Sequence, residues 1–566
     1  MKNSCILLAA GFLMAILSCS NSSQEEHSHP FIASVNQIMQ DWEPQLPGGA
    51  VAVIEQGEVI YEQYFGMADL ERGIPFSAHT QTDIGSISKQ FTACLIAILE
   101  EEGKLSLEDD IRKFLPELPI YQDTVKIRHL LHHTSGIRDY EALELLNGRH
   151  YFDAHMTNPY VVELMARQRA LNFQPNTRYE YSNSNYILLA EILERVSGQT
   201  LNELATSYLF DPLGMEQTFF HINQGEDFDS KAIGYVEMAG EFVRPDYRSH
   251  LIGDGGIYTT LQDLIKWDQN FYSNQLGKRT PVLLERMKYR VPLSNGNSNY
   301  MALAQIFTNH SFDEESWSHG GGGGGYLSFY IRFEEVPFSV IVLSNSQPHN
   351  AFQKANAIAD AYFQVENRNP APTEESDKAQ DDWSPMDISP QAIKQWTGCY
   401  YNEEQFSFLH IGHEIVNQAF RVDWLENRDG GYLCSLKNDS TLVEEADDNL
   451  TYELSQDGKE LVNKSGDRVD RSWTKVESPA TPLAAWAGSY YCEDIQHELH
   501  LTVQDSILVS DTPFATELIN FGEGLFRDKE TFSLLKFEGK EKFTLNIPQG
   551  NRNLRHLEFR RMKAEN

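Results

Sequence analysis

One short segment organises this sequence: Asp83-Ile84-Gly85-Ser86-Ile87-Ser88-Lys89-Gln90-Phe91. It continues into an apolar run that ends near Glu101 and predicts a buried helix. If the helix begins near Ser86, then Ser86 and Lys89 lie on one face, with roughly 5–6 Å between their Cβ atoms. A lysine in a partly dry cleft loses some preference for its charged form, so it can accept the serine proton. This Ser-x-x-Lys spacing therefore makes Ser86 a candidate nucleophile and Lys89 its activating amine.

Alternating apolar segments lie on both sides of this helix, far apart in the sequence. The four predicted strands comprise residues 49–54, 59–65, 326–333 and 338–344. A helix-rich region with many Pro and Gly breaks separates the two pairs, and residues 350–363 predict a closing helix. This order predicts an α/β (α+β) fold over residues 31–365, in which helices cover one antiparallel sheet.

Two further stretches bear on Ser86. The first is Tyr181-Ser182-Asn183, a turn before a helix that could present the tyrosine hydroxyl to the nucleophile and the asparagine amide to a substrate carbonyl. The second places six consecutive glycines between His319 and an apolar strand that begins at Tyr326. Six glycines are typical of a flexible linker, but here they fit equally well a strand edge that offers an N–H to an oxyanion.

The remaining histidines do not have the spacing of metal ligands. His132 and His133 are adjacent, so they point in different directions on a helix, and no acidic or cysteine partner lies nearby at ligand spacing. His497-Glu498-Leu499-His500 lacks the spacing of a zinc protease helix. The sequence therefore predicts no metal site.

Six motifs, in this order along the chain, resemble the class C β-lactamase-like, penicillin-recognising serine hydrolases. That group includes D-alanyl-D-alanine carboxypeptidases, D-aminopeptidases and esterases, and the resemblance covers about residues 30–365. The motifs are Gly85-Ser86-Ile87-Ser88-Lys89, His129 to Ile137, Tyr181-Ser182-Asn183, Phe210 to Met215, Gly255 to Thr260 with Asp263-Leu264, and His319-Gly320-Gly321.

The resemblance implies a role for each matching residue. It makes Ser86 the acylated nucleophile, Lys89 its activating amine and Tyr181 the hydroxyl that relays protons. It also implies that Asn183 contacts the substrate amide, and that the backbone N–H groups of Ser86 and Gly322 form the oxyanion hole. Acyl transfer through a serine ester requires no metal and no organic cofactor.

One position departs from the pattern of many β-lactamases and carboxypeptidases of this family. They carry Lys-Thr-Gly on the strand that faces the nucleophile, where the lysine helps to hold a substrate carboxylate, whereas this sequence has His319-Gly320-Gly321. A histidine is mostly uncharged near neutral pH, so we expect weaker carboxylate anchoring and inefficient β-lactam hydrolysis. His-x-Gly resembles the D-aminopeptidase-like and esterase-like branches, which implies substrate-binding roles for His319 and Gly321.

The C-terminal part of the chain contains a repeat. Acidic, proline-containing residues 366–390 predict a linker. Beyond it, the segment Trp396-Thr397-Gly398-Cys399-Tyr400-Tyr401 recurs as Trp486-Ala487-Gly488-Ser489-Tyr490-Tyr491. Each copy continues with short strands broken by turns, so residues 391–476 and 484–566 predict two small lipocalin-like β-barrels. Some D-aminopeptidases likewise carry two such barrels.

The N-terminus predicts export. An apolar run from Cys5 to Leu17 has the length of a signal-peptide core, so residues 1–18 are a predicted signal peptide. Ile16-Leu17-Ser18-Cys19 resembles a lipoprotein lipobox with Cys19 as the lipidated residue, and residues 19–30 predict a polar tether. We expect a cell-envelope lipoprotein, periplasmic or on the surface, anchored to a membrane through Cys19. An ordinary signal peptide is the alternative.

The charge and the motifs leave three functions open. The 82 acidic and 46 basic residues give a formal net charge of −36, which argues against nucleic acid as a partner. The first function is a serine hydrolase that cleaves a D-amino-acid-containing peptide or amide through an acyl-enzyme. The second is a broad-specificity esterase or weak β-lactamase. The third is a non-catalytic binding or scaffold lipoprotein, which has no need for Ser86, Lys89 and Tyr181 together. The sequence does not fix the oligomeric state.

Overall fold

The computed structural model describes residues 31–365 apart from 151, 295–298, 300, 311, 313 and 334. It also describes residues 389–562 apart from 397, 403–406, 415–418, 425–431, 439, 445–449, 458, 466–467, 476–482, 505–506, 513–515, 523, 529–532 and 548–553. The predicted signal peptide, Cys19, the tether and nearly all of the predicted linker lie outside the described residues. Within the described ranges, no helix is long and apolar enough to cross a membrane.

The first unit is built on a six-stranded antiparallel sheet. The strands of residues 31–365 are β1 (Gly49–Glu55), β2 (Glu58–Phe65), β3 (Met67–Asp69), β4 (Ile74–Pro75), β5 (Thr82–Asp83), β6 (Phe219–Phe220), β7 (Val236–Met238), β8 (Glu241–Val243), β9 (Ile257–Thr259), β10 (Ile306–Asn309), β11 (Glu315–Gly323), β12 (Tyr326–Phe333) and β13 (Phe338–Ser344). The order in the main sheet is β10-β11-β12-β13-β1-β2. Strands from the two ends of the unit therefore pair in the middle of the sheet, which confirms the predicted fold.

Strand β1 is buried on both faces because its alternate side chains enter two different cores. Ala52 and Ile54 belong to the large core on the side of the central helices. Val51 and Val53 belong to a second core on the opposite face. The sheet is thus covered by helices on both sides.

The central helix of the larger core is α2, in which every residue from Lys89 to Leu99 is buried. A helix that is apolar nearly all round is stable only in a protein interior, and this burial matches the apolar run in the sequence. The helices are α1 (Ile32–Ile38), α2 (Lys89–Glu101), α3 (Ile127–Leu131), α4 (Tyr140–Leu146), α5 (Asn158–Ala166), α6 (Asn183–Ser197), α7 (Leu201–Ala205), α8 (Asp211–Leu213), α9 (Leu261–Ser273), α10 (Arg279–Lys288), α11 (Ala351–Val365) and α12 (Pro390–Trp396).

The repeat corresponds to two closed eight-stranded barrels. The first barrel comprises β14 (Gly398–Asn402), β15 (Ser407–Glu414), β16 (Ala419–Trp424), β17 (Tyr432–Asn438), β18 (Thr441–Glu444), β19 (Leu450–Leu454), β20 (Glu460–Ser465) and β21 (Arg468–Lys475). The second comprises β22 (Gly488–Cys492), β23 (His497–Gln504), β24 (Ile507–Ser510), β25 (Glu517–Gly522), β26 (Leu525–Asp528), β27 (Leu534–Glu538), β28 (Lys542–Ile547) and β29 (Leu554–Arg561).

The repeated Trp-x-x-x-Tyr pattern has the same structural role in both barrels. The Tyr400 hydroxyl donates to the Trp396 carbonyl oxygen at 2.8 Å, and the Tyr490 hydroxyl donates to the Trp486 carbonyl oxygen at 3.0 Å. All four side chains are buried. A buried tyrosine hydroxyl needs such a partner, so this bond fixes the entry of the chain into each barrel.

The second barrel packs directly against the helical unit. One cluster of buried apolar side chains includes the core around α2 and the interior of the second barrel, whereas the first barrel has a cluster of its own. Arg138, whose side chain is fully buried, pairs with Asp494 at 2.9 Å and donates to the carbonyl oxygens of Arg555 and His556. The contact therefore combines apolar packing with a buried ion pair.

Candidate active site

Ser86 and Lys89 meet at the start of the central helix. Residues Gly85–Ser88 form a 3₁₀ turn, and α2 begins at Lys89. Side chains three residues apart eclipse each other in a 3₁₀ turn, which brings the two groups closer than a regular α-helical start does. Lys89 Nζ lies 2.9 Å from Ser86 Oγ.

The Lys89 ammonium is enclosed and fully hydrogen-bonded. Its side chain has no solvent exposure, and its three donors reach Ser86 Oγ, Asn183 Oδ1 at 2.7 Å and the Asp254 carbonyl oxygen at 2.6 Å. It also lies 5.1 Å from the centre of the Tyr181 ring, whose face attracts a cation. These contacts hold the amine in one position beside the nucleophile.

Tyr181 approaches Ser86 from the other side. Its hydroxyl lies 3.0 Å from Ser86 Oγ, so the serine oxygen accepts from both Lys89 and Tyr181 in this resting arrangement. The tyrosine ring stacks on His133 with 4.3 Å between the ring centres. His133 Nδ1 in turn accepts from the Ser182 backbone N–H. His133, for which the sequence offered no metal-ligand spacing, thus supports Tyr181.

Asn183 connects the lysine to a carboxylate that the sequence analysis did not single out. Asn183 Nδ2 donates to Glu141 Oε1 at 2.6 Å, while its Oδ1 accepts from Lys89. Glu141 is only 8% exposed and lines the cleft together with Ser86. Asp139 caps helix α4 by accepting from the Glu141 N–H, and its other oxygen accepts from the Asn183 N–H. The sequence signal that could have pointed to Glu141 is an N-cap residue followed by an acidic residue in the first helical turn. This pattern is also typical of ordinary helix starts, so it does not indicate a functional residue.

The glycine strand β11 runs past Ser86 at close range. A Cβ on Gly321 would lie 1.9 Å from the Ile84 carbonyl oxygen, so only glycine fits at this crossing. A Cβ on Gly85 would lie 2.5 Å from the Gly322 nitrogen, which places that N–H beside the start of the nucleophile turn. The predicted oxyanion pair, the N–H groups of Ser86 and Gly322, therefore lies at the meeting point of two backbones. Of the predicted glycines, Gly322 lines the cleft and Gly321 is buried against the turn.

His319 is buried and neutral at physiological pH. Burial, with a smaller contribution from the Lys89 charge, lowers the pKa of His319 to about 4. Its Nδ1 lies 2.6 Å from the Gly320 carbonyl oxygen, which can only accept, so Nδ1 carries the proton. Nε2 then presents a lone pair, and it has no hydrogen-bond partner among the described residues. The His319 and Tyr181 ring centres are 6.2 Å apart.

Ser86, Asn183 and Gly322 line one cleft, and Lys89 and Tyr181 contact Ser86 Oγ from behind it, whereas the buried His319 and Gly321 do not line it. This constellation can carry out acyl transfer, because it combines a hydroxyl nucleophile, two proton-transfer groups and backbone donors for an oxyanion. The described residues contain no group of three or more His, Cys, Asp or Glu side chains placed to hold a metal ion.

Comparison with known proteins identifies the relatives of the first unit. The chain is 32% identical to penicillin-binding protein 4* of Bacillus subtilis over 323 residues, which cover 54% of this chain and 70% of that protein. It is 30% identical to a D-aminopeptidase of Gluconobacter oxydans over 317 residues, covering 56% of this chain and 59% of the relative. It is 33% identical to a D-aminopeptidase of Brucella anthropi over 243 residues, covering 42% of this chain and 44% of the relative. The chain thus spans only about half the length of these aminopeptidases.

A solved structure shows the same fold. The octameric penicillin-binding protein homologue from Pyrococcus abyssi superimposes with a TM-score of 0.52 at 21% identity, covering 79% of this chain and 99% of that one. The Beta-lactamase family description matches residues 31–363, more than half of the chain. These residues contain the whole cleft around Ser86. The chain belongs to the β-lactamase family, and it is a serine hydrolase of that family.

Proposed function

We propose that the protein hydrolyses amides and short peptides that begin with a D-amino acid, by way of an acyl-enzyme on Ser86. The observation that carries this proposal is the carboxylate of Glu141, buried in the cleft beside Asn183. A buried carboxylate favours a cationic group, and the free α-ammonium of an amino-terminal residue supplies one next to the scissile carbonyl. The D-aminopeptidase relatives support the stereochemistry.

The geometry suggests how the residues share the reaction. Ser86 Oγ attacks the carbonyl carbon, and the developing oxyanion accepts from the N–H groups of Ser86 and Gly322. Because Lys89 and Tyr181 both donate to Ser86 Oγ at rest, one of them must be in its basic form to take the serine proton. Tyr181 then gives a proton to the leaving nitrogen as the C–N bond breaks. In the second half, water loses a proton to the same pair, attacks the ester and releases the acid and the Ser86 hydroxyl.

The state of His319 argues against β-lactams as the preferred substrates. A neutral imidazole with a lone pair on Nε2 repels a carboxylate rather than anchoring it. An amide or peptide is therefore a better substrate than a penicillin.

The proposal is tested with D-alaninamide, L-alaninamide and N-acetyl-D-alaninamide. We expect turnover of the first, at least about tenfold weaker turnover of the other two, and no turnover or fluorophosphonate labelling in Ser86→Ala. Glu141→Gln preserves the shape and the hydrogen bond with Asn183 but removes the charge, so it should narrow the preference for the free amine over the acetylated substrate. Activity confined to short acyl esters would replace the proposal by the esterase function. If the wild-type protein is neither labelled by the fluorophosphonate nor active on any of these substrates, the non-catalytic scaffold function is the one that remains.

We also propose that the protein is a cell-envelope lipoprotein anchored through Cys19. The sequence motif at residues 16–19 supports this placement. Expression of Cys19→Ala should move the protein from the membrane fraction to the soluble fraction. Unchanged fractionation would reject the anchor.

A further inference from the structure

A second cavity lies next to the cleft and has no role in the chemistry described above. It encloses about 360 Å³, whereas the cleft around Ser86 encloses about 50 Å³. Tyr247 lines both, so its ring separates the nucleophile from the larger space. Ligand sites typically measure about 300–1,000 Å³, so the cleft alone is too small for a substrate and the neighbouring cavity is large enough.

The cavity lies on the acyl side of the scissile bond. In the proposed reaction Tyr181 protonates the leaving nitrogen, so the leaving group departs on the side of Tyr181. Strand β11 leads away from His319 through Gly322 and Gly323, which line the cleft, and the turn that follows begins at Gly324, which lines the cavity. Consecutive Cα atoms are about 3.8 Å apart, so Gly324 lies at most about 7–8 Å from Gly322. A side chain of four or five atoms on the acyl residue spans that distance.

The wall of the cavity carries positive charge in a strongly acidic protein. Lys231, Arg244 and Arg248 line it, with Asp246 as the acidic member of the lining. Lys231 is held by Asp227 and by two backbone carbonyl oxygens. Arg244 pairs with Asp227 and Arg248 with Asp246, but a guanidinium has five N–H donors, so both arginines retain capacity for a ligand. They offer an anion N–H donors on a chain whose net charge is −36.

The inner wall also offers a polar group. Tyr258 is fully buried and lines the cavity, and its hydroxyl lies beside that of Tyr326. A phenol oxygen that donates to its neighbour still has lone pairs but no second proton, so the cationic side chains are the donors for a ligand. The arginines therefore match a carboxylate at the end of a short chain.

We propose that this cavity is a subsite for an acidic side chain on the acyl residue of the substrate. The inference rests on the proposed function, which places the acyl residue of the substrate next to this cavity. The preferred substrates are then amides and peptides with amino-terminal D-glutamate or D-aspartate. The α-ammonium contacts Glu141, while the side-chain carboxylate reaches past Tyr247 to Arg244 and Arg248.

The test uses a pair of esters that differ only at the far end of the acyl group. Monomethyl glutarate carries a carboxylate there and methyl pentanoate carries a methyl group, and a pH-stat follows both with the full-length enzyme. We expect kcat/KM to favour the glutarate ester by about tenfold at low ionic strength. Arg244→Gln or Arg248→Gln should reduce that ratio about fivefold, and Arg244→Lys should retain most of it. The ratio of the two kcat/KM values is the readout, because any change that affects both esters equally cancels in it.

A matched control is Arg279→Gln, because Arg279 has the same exposed fraction as Arg244, 37%, and also pairs with a carboxylate, Glu102. It should leave the ratio unchanged. Three outcomes overturn the subsite. They are a wild-type kcat/KM ratio of glutarate ester to pentanoate ester at or below one, no turnover of the glutarate ester, and a ratio in the Arg244 and Arg248 variants equal to that of the wild type. A separate experiment measures cleavage of the α-amides of D-glutamate and D-glutamine. If neither amide is cleaved while the enzyme still prefers the glutarate ester over methyl pentanoate, the proposed function fails and the subsite stands.

Discussion

At the scale of single residues, Ser86 Oγ is the point where two proton-transfer groups converge. Lys89 is held by three acceptors, whereas Tyr181 is placed by its stack on His133. The lysine is thus fixed by hydrogen bonds and the tyrosine by packing. Removing the tyrosine hydroxyl should therefore change the chemistry more than the structure.

We expect Tyr181→Phe to lower kcat by about 10²–10⁴, because the phenol that protonates the leaving nitrogen is gone while the ring still stacks on His133. Steady-state kinetics on D-alaninamide measures the effect, with thermal unfolding as a check on the fold. Tyr208→Phe, at a half-buried tyrosine outside the cleft that contacts Glu102, is the control and should retain full activity. A Tyr181→Phe variant with near-normal kcat would assign proton transfer to Lys89 alone.

The stability of the first unit should depend on pH through Asp83. Burial raises the pKa of this carboxyl to about 7, although its Oδ1 accepts from the Gly85 N–H. A raised folded-state pKa contributes stability that is complete below about pH 4 and is lost as the pH rises towards 7, at about 1.4 kcal/mol per pH unit. Asp83→Asn keeps an acceptor for Gly85 and removes the ionisable group, so the part of the stability loss that comes from residue 83 should disappear in the variant.

Thermal unfolding at pH 5 and pH 7.5 checks this prediction. The wild type should lose more stability than Asp83→Asn between the two values. Equal losses would show that Asp83 ionises in the folded protein as readily as in the unfolded chain.

The spacing of Ser86 and Lys89 was enough to predict the nucleophile pair, because both residues lie in one turn. Glu141 could not be found in this way. It reaches the cleft only because Asp139 caps helix α4 and Asn183 begins helix α6, and these helices meet through packing between distant parts of the chain.

At the scale of elements, the crossing of strand β11 with the turn at Gly85–Ser88 shapes the site. The six glycines predicted either a linker or a strand edge, and the structure shows a strand that ends at Gly323 followed by a turn with Gly324 and Gly325 at positive φ. Composition alone did not distinguish a linker from a strand. The glycine segment is a strand because it pairs with β12, and the side chain of Ser328 on β12 donates to the Ile84 carbonyl oxygen.

This crossing gives a paired prediction. Gly321→Ala places a methyl group 1.9 Å from a backbone carbonyl oxygen, so the strand must move away from Ser86 and the oxyanion donors separate. We expect kcat to fall about 10²-fold or more. Gly322→Ala keeps the backbone N–H and meets the flexible end of the Leu327 side chain at 3.1 Å and the Tyr326 carbonyl oxygen at an ordinary contact distance of 3.6 Å, so the strand need not move and the loss of kcat should be at least about tenfold smaller than in Gly321→Ala.

Kinetics and circular dichroism on both variants measure the difference. Equal activity of the two folded variants would show that the close crossing is not needed for catalysis.

At the scale of the whole molecule, the second barrel supports the segment that carries Tyr181. Arg555 lies 3.5 Å from the carboxylate of Glu180, the residue before Tyr181, and its backbone N–H donates to Asn172. The repeat in the sequence predicted two barrels, which the structure confirms as two closed barrels. Their docking could not be predicted, because it depends on single contacts such as Arg138 with Asp494 between residues far apart in the chain.

The docking contact leads to a stability prediction. Arg138→Met leaves the Asp494 carboxylate with only the longer, 3.7 Å contact to Arg169 and should lower the free energy of unfolding by about 3 kcal/mol. The control Lys113→Met removes an exposed pair with Asp109 and should cost about 0–1 kcal/mol. Urea unfolding of the two variants measures both. Similar losses would show that the buried pair has no special role in holding the barrel.

The position of Arg138 also has a genetic consequence. A shortened gene that ends after codon 365 still encodes Arg138 but not Asp494, nor the carbonyl groups of Arg555 and His556 that accept from it. Its product would carry an arginine side chain in an apolar surface without any of these acceptors. In the shortened product this side chain faces water instead of the barrel, so we expect Arg138→Ala to cost the shortened protein much less stability than it costs the full-length chain.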